Sequence, residues 1–142
     1  MTHSLSALDV AAVATHFALT EATVRSYLRS GRLPGVRLKG EWRTGWEQIW
    51  AVERGPMPKG GNRQAFQMPL LSKAGLARQL GTSVRTVEGW LEQGMPTRNV
   101  FSNVRIAPID AETWLSSKFG QSPGSATVLK TLLRGGPPVQ TS

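Results

Sequence analysis

The chain has 142 residues, 39% of them hydrophobic, which is enough for one ordinary domain or two very small ones. It contains no cysteine, which excludes disulfides, thiolate zinc sites and cysteine nucleophiles. Seventeen Lys and Arg against nine Asp and Glu give a net charge of +8, mostly from arginine, which favours a nucleic acid as partner well ahead of a membrane surface.

Taken in chain order, Asp9 is a good N-cap for a short helix "VAAVATHF", whose Val10, Val13 and Phe17 form one apolar stripe. His16 falls near its end, where a capping or surface role is expected. After the break "ALT", Thr20 caps a second helix over 21–30, with Val24, Tyr27 and Leu28 on its inner face. Gly31 stops that helix and Pro34 follows. "GVRLKGEWRT" alternates around Lys39-Gly40 and predicts a β-hairpin; Thr44 is the expected cap of a closing helix "GWEQIWAVE". Residues 55–69, "GPMPKGGNRQAFQMP", are dense in Pro and Gly and predict a flexible linker.

The same grammar then returns. Ser72 precedes "KAGLARQL", Gly81 suits a tight turn, and Ser83 caps a helix over 84–93 with Val87, Trp90 and Leu91 inside. Gly94 and Pro96 end it. "NVFSNVRIA" predicts a hairpin turning at Ser102-Asn103, and Pro108 suits the first position of a helix "PIDAETWLSSK". Beyond Lys118, Gly, Ser and Pro predict a flexible tail, within which "ATVLKTLLR" has the pattern of a short amphipathic helix.

The return is an internal repeat. At an offset of 63, Leu8, Ala11, Ala14, Thr23, Val24, Leu28 and Gly31 meet identical residues at 71, 74, 77, 86, 87, 91 and 94, and Tyr27 meets Trp90. Identities at helical spacing indicate a shared fold. The expected fold class is mainly α with small β-hairpin wings: two tandem winged helix-turn-helix domains at 1–54 and 70–118, a linker at 55–69 and a tail at 119–142.

The stretch "LDVAAVATHFALTEATVRSYLRSGRLPGVRLKGEWRT" resembles the excisionase-like, MerR-related winged helix-turn-helix family. Thr23-Val24, Tyr27, Ser30-Gly31, Leu33-Pro34, Arg37 and Trp42-Arg43 carry the resemblance most sharply, over residues 7–53. Gly45 and Trp46 depart from the family's usual Pro and charged residues. Residues 70–117 look like the same superfamily, and "SKAGLARQLGTSVRTVEGWLEQGMP" also resembles the DNA-binding domain of the phage terminase small subunit. The resemblance implies a sequence-specific binder of double-stranded DNA from a mobile element: an excisionase-like recombination directionality factor, a transcriptional regulator, or both. Its partners would include a site-specific recombinase or RNA polymerase, and an oligomer on DNA is compatible with it. A DNA-packaging factor, or an adaptor with one DNA-binding and one protein-binding unit, are the alternatives.

In such a unit the second helix enters the major groove. Its exposed face is Glu21, Ala22, Arg25, Ser26 and Arg29 in the first unit, with Arg25 suited to guanine and Glu21 to cytosine. In the second it is Val84, Arg85, Glu88 and Gly89. The caps Thr20, Thr23, Ser83 and Thr86 suit phosphate oxygens. The hairpins add Arg37, Lys39 and Arg43, then Arg98, Asn103 and Arg105, for minor groove or backbone. Lys59 and Arg63 in the linker are placed to follow phosphates. The five tryptophans sit at apolar positions and are expected in the core. No metal, cofactor or catalytic residue is expected: His3 and His16 stand alone, no acidic cluster has ligand spacing, and "GPMPKGG" lacks P-loop spacing. The N-terminus "MTHSLSALDV" lacks a signal-peptide pattern and no apolar run reaches about 18 residues. A cytoplasmic, DNA-associated location in a bacterial cell is therefore expected, with no membrane partner.

Overall fold

The computed structural model describes residues 7–134; His3 and the last eight tail residues lie outside the described residues. The chain is mainly helical with two small antiparallel hairpins. Each half runs helix, helix, hairpin, helix. The first half comprises α1 (Val10–Phe17), α2 (Glu21–Ser30), β1 (Val36–Leu38), β2 (Glu41–Arg43) and α3 (Trp46–Val52). The second comprises α4 (Lys73–Leu80), α5 (Val84–Glu92), β3 (Arg98–Val100), β4 (Asn103–Arg105) and α6 (Pro108–Phe119). An extra helix, α7 (Ser125–Leu133), follows.

Local chemistry sets the helix starts. Asp9, Thr20, Ser72 and Ser83 each accept a hydrogen bond from the backbone N–H three residues on, at 2.8, 3.2, 3.0 and 3.1 Å. These four caps repeat at the 63-residue offset. Pro108 opens α6 as expected, where its missing N–H costs nothing. Thr44 does not cap α3. Gly45 occupies that position without a side-chain cap, while the Thr44 hydroxyl donates to Pro34 O at 2.7 Å and its backbone bridges Leu8. Holding the hairpin root to the chain entering α1 is a use of Thr44 that helix spacing does not reveal.

The hairpins share one register: Val36↔Arg43 and Leu38↔Glu41 in the first, Arg98↔Arg105 and Val100↔Asn103 in the second. Both turn on two residues with positive φ, Lys39-Gly40 (54° and 83°) and Phe101-Ser102 (51° and 72°). Positive φ at both central positions is the twist that two-residue hairpins require. The second turn therefore sits one residue earlier than the expected Ser102-Asn103, and it forces a bulky Phe into a left-handed conformation.

The segment between the halves is folded back on them. It contains two 3₁₀ turns, Gly60–Asn62 and Ala65–Gln67, and Phe66 O accepts from Trp50 Nε1 at 3.1 Å. The tail departs from expectation in the same way. α7 packs on α6 and α4, Leu133 is buried, and Arg134 pairs with Glu112 at 2.9 Å.

The core crosses the expected boundary. Val13, Phe17, Val24, Leu28, Ile49 and Trp50 of the first half pack with Leu70, Val100 and Ala107 of the second. A second cluster, built on Leu76, Val87, Ile106 and Leu115, lies within the second half and takes Leu133 from α7. Trp50 is fully buried, and the other four tryptophans are half-buried against these two clusters. Asp110, near the shared core, has its carboxyl pushed above the ordinary range by burial; Arg98 opposes that rise and Glu53 adds to it. A carboxyl with a raised folded pKa favours the fold below its unfolded value and loses that contribution as pH rises through the folded one. Asp110→Asn is therefore expected to raise the melting temperature at pH 7 and to leave it unchanged below about pH 4, checked by thermal melts at both values.

Candidate nucleic-acid interface

α2 buries Val24 and Leu28 and leaves Glu21, Ala22, Arg25, Ser26 and Arg29 exposed. Arg25 and Glu21 pair across one helical turn at 3.3 Å, both about half exposed. A pair so placed contributes only about 0.3–0.5 kcal/mol, so Arg25 is free to exchange partners. The first hairpin stands beside this face. Asp9, Glu21, Arg25, Glu41, Trp42 and Arg43 line one groove of about 310 Å³ between the starts of α1 and α2 and the hairpin. Helix face and hairpin thus form one continuous surface.

On that hairpin, Arg37 donates to Gly40 O at 3.0 Å and lies 5.5 Å over the Trp42 ring. Arg43 donates to Trp42 O at 2.8 Å and pairs with Glu41 at 3.0 Å. These bonds aim two guanidinium groups from a stiff two-stranded support. Lys39 at the tip and Arg29 on α2 are exposed and make no side-chain hydrogen bond or ion pair among the described residues. Thr20 and Thr23 bond each other at 2.9 Å, and Ser83 and Thr86 do so at 3.0 Å, at the exposed starts of α2 and α5.

α5 presents Val84, Arg85, Glu88 and, half-buried, Gly89. Arg85 is exposed and unpaired among the described residues, whereas Glu88 pairs with Lys73 at 3.3 Å. Gly89 lies in the helix interior, yet a Cβ added there meets nothing within 4 Å. No packing reason for glycine exists. Gly89→Ala is expected to stabilise the fold by about 0.5–1 kcal/mol, read from denaturant midpoints.

One expected contact on the second hairpin, Arg98, is corrected, and two more, Arg105 and Asn103, are drawn into hydrogen bonds within the chain. Arg98 is 2% exposed and pairs with the equally buried Glu53 at 3.1 Å. It also donates to Pro56 O at 2.8 Å and stacks 4.6 Å over Phe66. Arg105 donates from Nε to Phe17 O at 2.8 Å and from Nη2 to Ala18 O at 2.9 Å, satisfying carbonyls at the end of α1; burial lowers its pKa from the usual value. Asn103 Nδ2 donates to Val100 O and Phe101 O across its own turn. Arg98 is enclosed by the fold, whereas Arg105 and Asn103 are half-buried, each with part of its side chain taken up by these bonds. The spacing that places residues on a hairpin does not say which face the neighbouring unit covers.

His16 is also corrected. It is buried, and its Nε2 meets Glu53 Oε2 at 2.8 Å. A Glu53 carboxylate held by Arg98 is an acceptor only, so His16 Nε2 donates. Sequence reading missed Glu53, Phe66, Phe101 and Arg32. Arg32 lies over the Tyr27 and Phe101 rings, at 4.8 and 5.4 Å. The one legible signal was Phe101 beside a predicted turn, where a large aromatic has no local reason to be.

Among the described residues no group of three or more His, Cys, Asp or Glu is placed to hold a metal ion, and no helix is long and apolar enough to cross a membrane. The chain matches no protein-family model, no curated protein and no solved structure.

Proposed function

We propose that the protein is a non-catalytic, sequence-specific binder of double-stranded DNA, built from two winged helix-turn-helix units. The observation that carries this reading is the single surface made by the α2 face and the first hairpin around Arg25 and Arg43. α2 enters the major groove with Arg25 and Glu21 toward base edges, and the hairpin lays Arg37, Lys39 and Arg43 along the flanking backbone. Thr20 and Thr23, at the start of α2, take a phosphate. α5 brings Arg85 and Val84 to a neighbouring segment. The excisionase-like resemblance of the sequence suggests a role in a mobile element, as a recombination directionality factor or promoter regulator in the cytoplasm, with a recombinase or RNA polymerase as protein partner.

An adaptor reading has one observation in its favour. The second hairpin gives its arginines to the fold, and α5 carries Glu88 and Glu92 as well as Arg85. In that reading the second unit holds a protein partner.

Fluorescence anisotropy on random-sequence duplex DNA tests the proposal across a salt series. With about six phosphate contacts, affinity is expected to fall about a thousandfold between 50 and 200 mM salt. Absence of salt-dependent retention at 50 mM would sink it.

A further inference from the structure

We infer that the second hairpin has become a clamp that locks α2 and α5 into one rigid body, so that the protein itself fixes the spacing of the two DNA segments it reads. The inference rests on the DNA-reading proposal for its consequence, and on the geometry between the units for the clamp.

The internal repeat supplies the comparison. At an offset of 62, Val36 and Leu38 of the first hairpin correspond to Arg98 and Val100 of the second, in the same register. Val36 and Leu38 are 51% and 55% exposed; Arg98 and Val100 are 2% and 0%. One hairpin stands free, and its twin packs one face of its first strand against the other unit. At the twin's tip Phe101 stacks on Tyr27 of α2, with ring centroids 3.9 Å apart, and meets Phe17 edge-on at 6.1 Å. Arg32 covers the pair. At its root, Arg98 reaches Glu53, and Asn99 N donates to Glu53 O at 2.9 Å. On the return strand Arg105 holds the end of α1, and Leu70 N donates to His16 O at 2.8 Å beside it. Contacts therefore fall at both ends of the hairpin and on both strands. A ribbon pinned at several separated points does not pivot. Tyr27 lies on the helix that presents Arg25, so the clamp grips the reading helix itself.

This differs from two units on a flexible tether. A tether of about fifteen residues spans roughly 20 Å on average and tolerates many spacings, since it only raises local concentration. A rigid body tolerates one. Inserting a base pair moves the second segment by about 3.4 Å along the duplex and rotates it by about a tenth of a turn. Tyr27, Phe101, Glu53 and Arg98 are then positioning residues for specificity, without touching DNA.

The absence of cysteine makes the test direct. Nitroxide labels at Ser26→Cys on α2 and Gln93→Cys at the end of α5, both exposed, report the distance between the two helices in the full chain without DNA. A single narrow distance is expected. Phe101→Asn keeps a residue that tolerates left-handed backbone but removes the ring, and should broaden the distribution; Phe101→Tyr should restore it. In parallel, duplexes are selected from a random pool, and one or two base pairs are inserted between the protected segments. The unsubstituted chain should lose at least about tenfold in affinity per insertion, and Phe101→Asn less than about threefold. A broad distance in the unsubstituted chain overturns the clamp. So does equal tolerance of insertions in both proteins. A narrow distance that broadens in Phe101→Asn, with no duplex retained, supports the clamp and overturns the DNA-reading proposal instead.

Discussion

Replacing Glu53 by alanine is expected to lower stability by about 3–5 kcal/mol, the cost of leaving a buried charge without its partner. Glu53 is completely buried between His16 Nε2 at 2.8 Å and Arg98 Nη1 at 3.1 Å. Without it, the guanidinium keeps the Pro56 carbonyl, the Phe66 ring and the electrostatic influence of Asp110, and no carboxylate pairs with it directly among the described residues. His16 already lacks a hydrogen-bond partner at Nδ1 among the described residues, and would lose its other one. Against a total stability of about 5–15 kcal/mol, this is a large share, and the melting temperature should fall by roughly 10–20 °C. The control separates charge from packing. Glu53→Met combined with Arg98→Met removes both charges and keeps volume, and should melt well above Glu53→Ala. Thermal melts of the three proteins decide the matter: a loss below about 1 kcal/mol in Glu53→Ala would mean that water reaches the pair.

What made this pair invisible in the sequence is its range. Glu53 and Arg98 are 45 positions apart, and neither lies on an apolar stripe. Helix starts were legible because a cap acts over three residues: Asp9, Thr20, Ser72 and Ser83 all bond where spacing places them. The first hairpin was legible for the same reason, since Lys39-Gly40 supplies the positive φ locally. The second was legible as a hairpin but not in its turn. Ser102-Asn103 is the better local turn, yet Phe101 takes the first turn position. A left-handed Phe costs about 1–2 kcal/mol, and contacts between units, the stack on Tyr27 with Phe17 and Arg32 beside it, offset it. The linker misled through composition. Gly and Pro density there is real, but Pro56 and Phe66 anchor the segment against Arg98 and Trp50. The tail misled likewise: helix α7 was legible in "ATVLKTLLR", while its docking depends on Leu133 and on Glu112 more than twenty residues earlier.

The exposed faces were legible for a different reason: they are what remains after the buried stripes are assigned. That is why the site residues on α2 stand where spacing puts them, and why the arginines of the second hairpin do not. A charge on a hairpin defaults to solvent only where no second unit covers it. Positive charge was therefore a poor guide to which arginines stay exposed.

Charge reversal on α2 and α5, the two helices proposed to read DNA, carries the other large effect. Arg25→Glu is expected to weaken DNA binding by at least about a hundredfold, since losing a bidentate arginine–guanine contact costs about 1–3 kcal/mol before repulsion from phosphate is added. Arg85→Glu should cost about tenfold. The difference follows from the hairpins. Arg25 works beside a free hairpin carrying Arg37, Lys39 and Arg43, so reversing it disturbs the centre of a basic surface. Arg85 has no such companion, because Arg98 and Arg105 are held in the fold and Glu88 and Glu92 already share its helix. Both side chains are exposed, and the Arg25–Glu21 pair is a weak surface contact, so neither substitution should move the melting temperature by more than a few degrees. Binding curves at several salt concentrations, with melts alongside, read both effects. If Arg85→Glu leaves affinity untouched while Arg25→Glu abolishes it, the second unit does not read DNA and the adaptor reading takes its place. If neither matters, the α2 surface is not the DNA interface, whatever the net charge attracts.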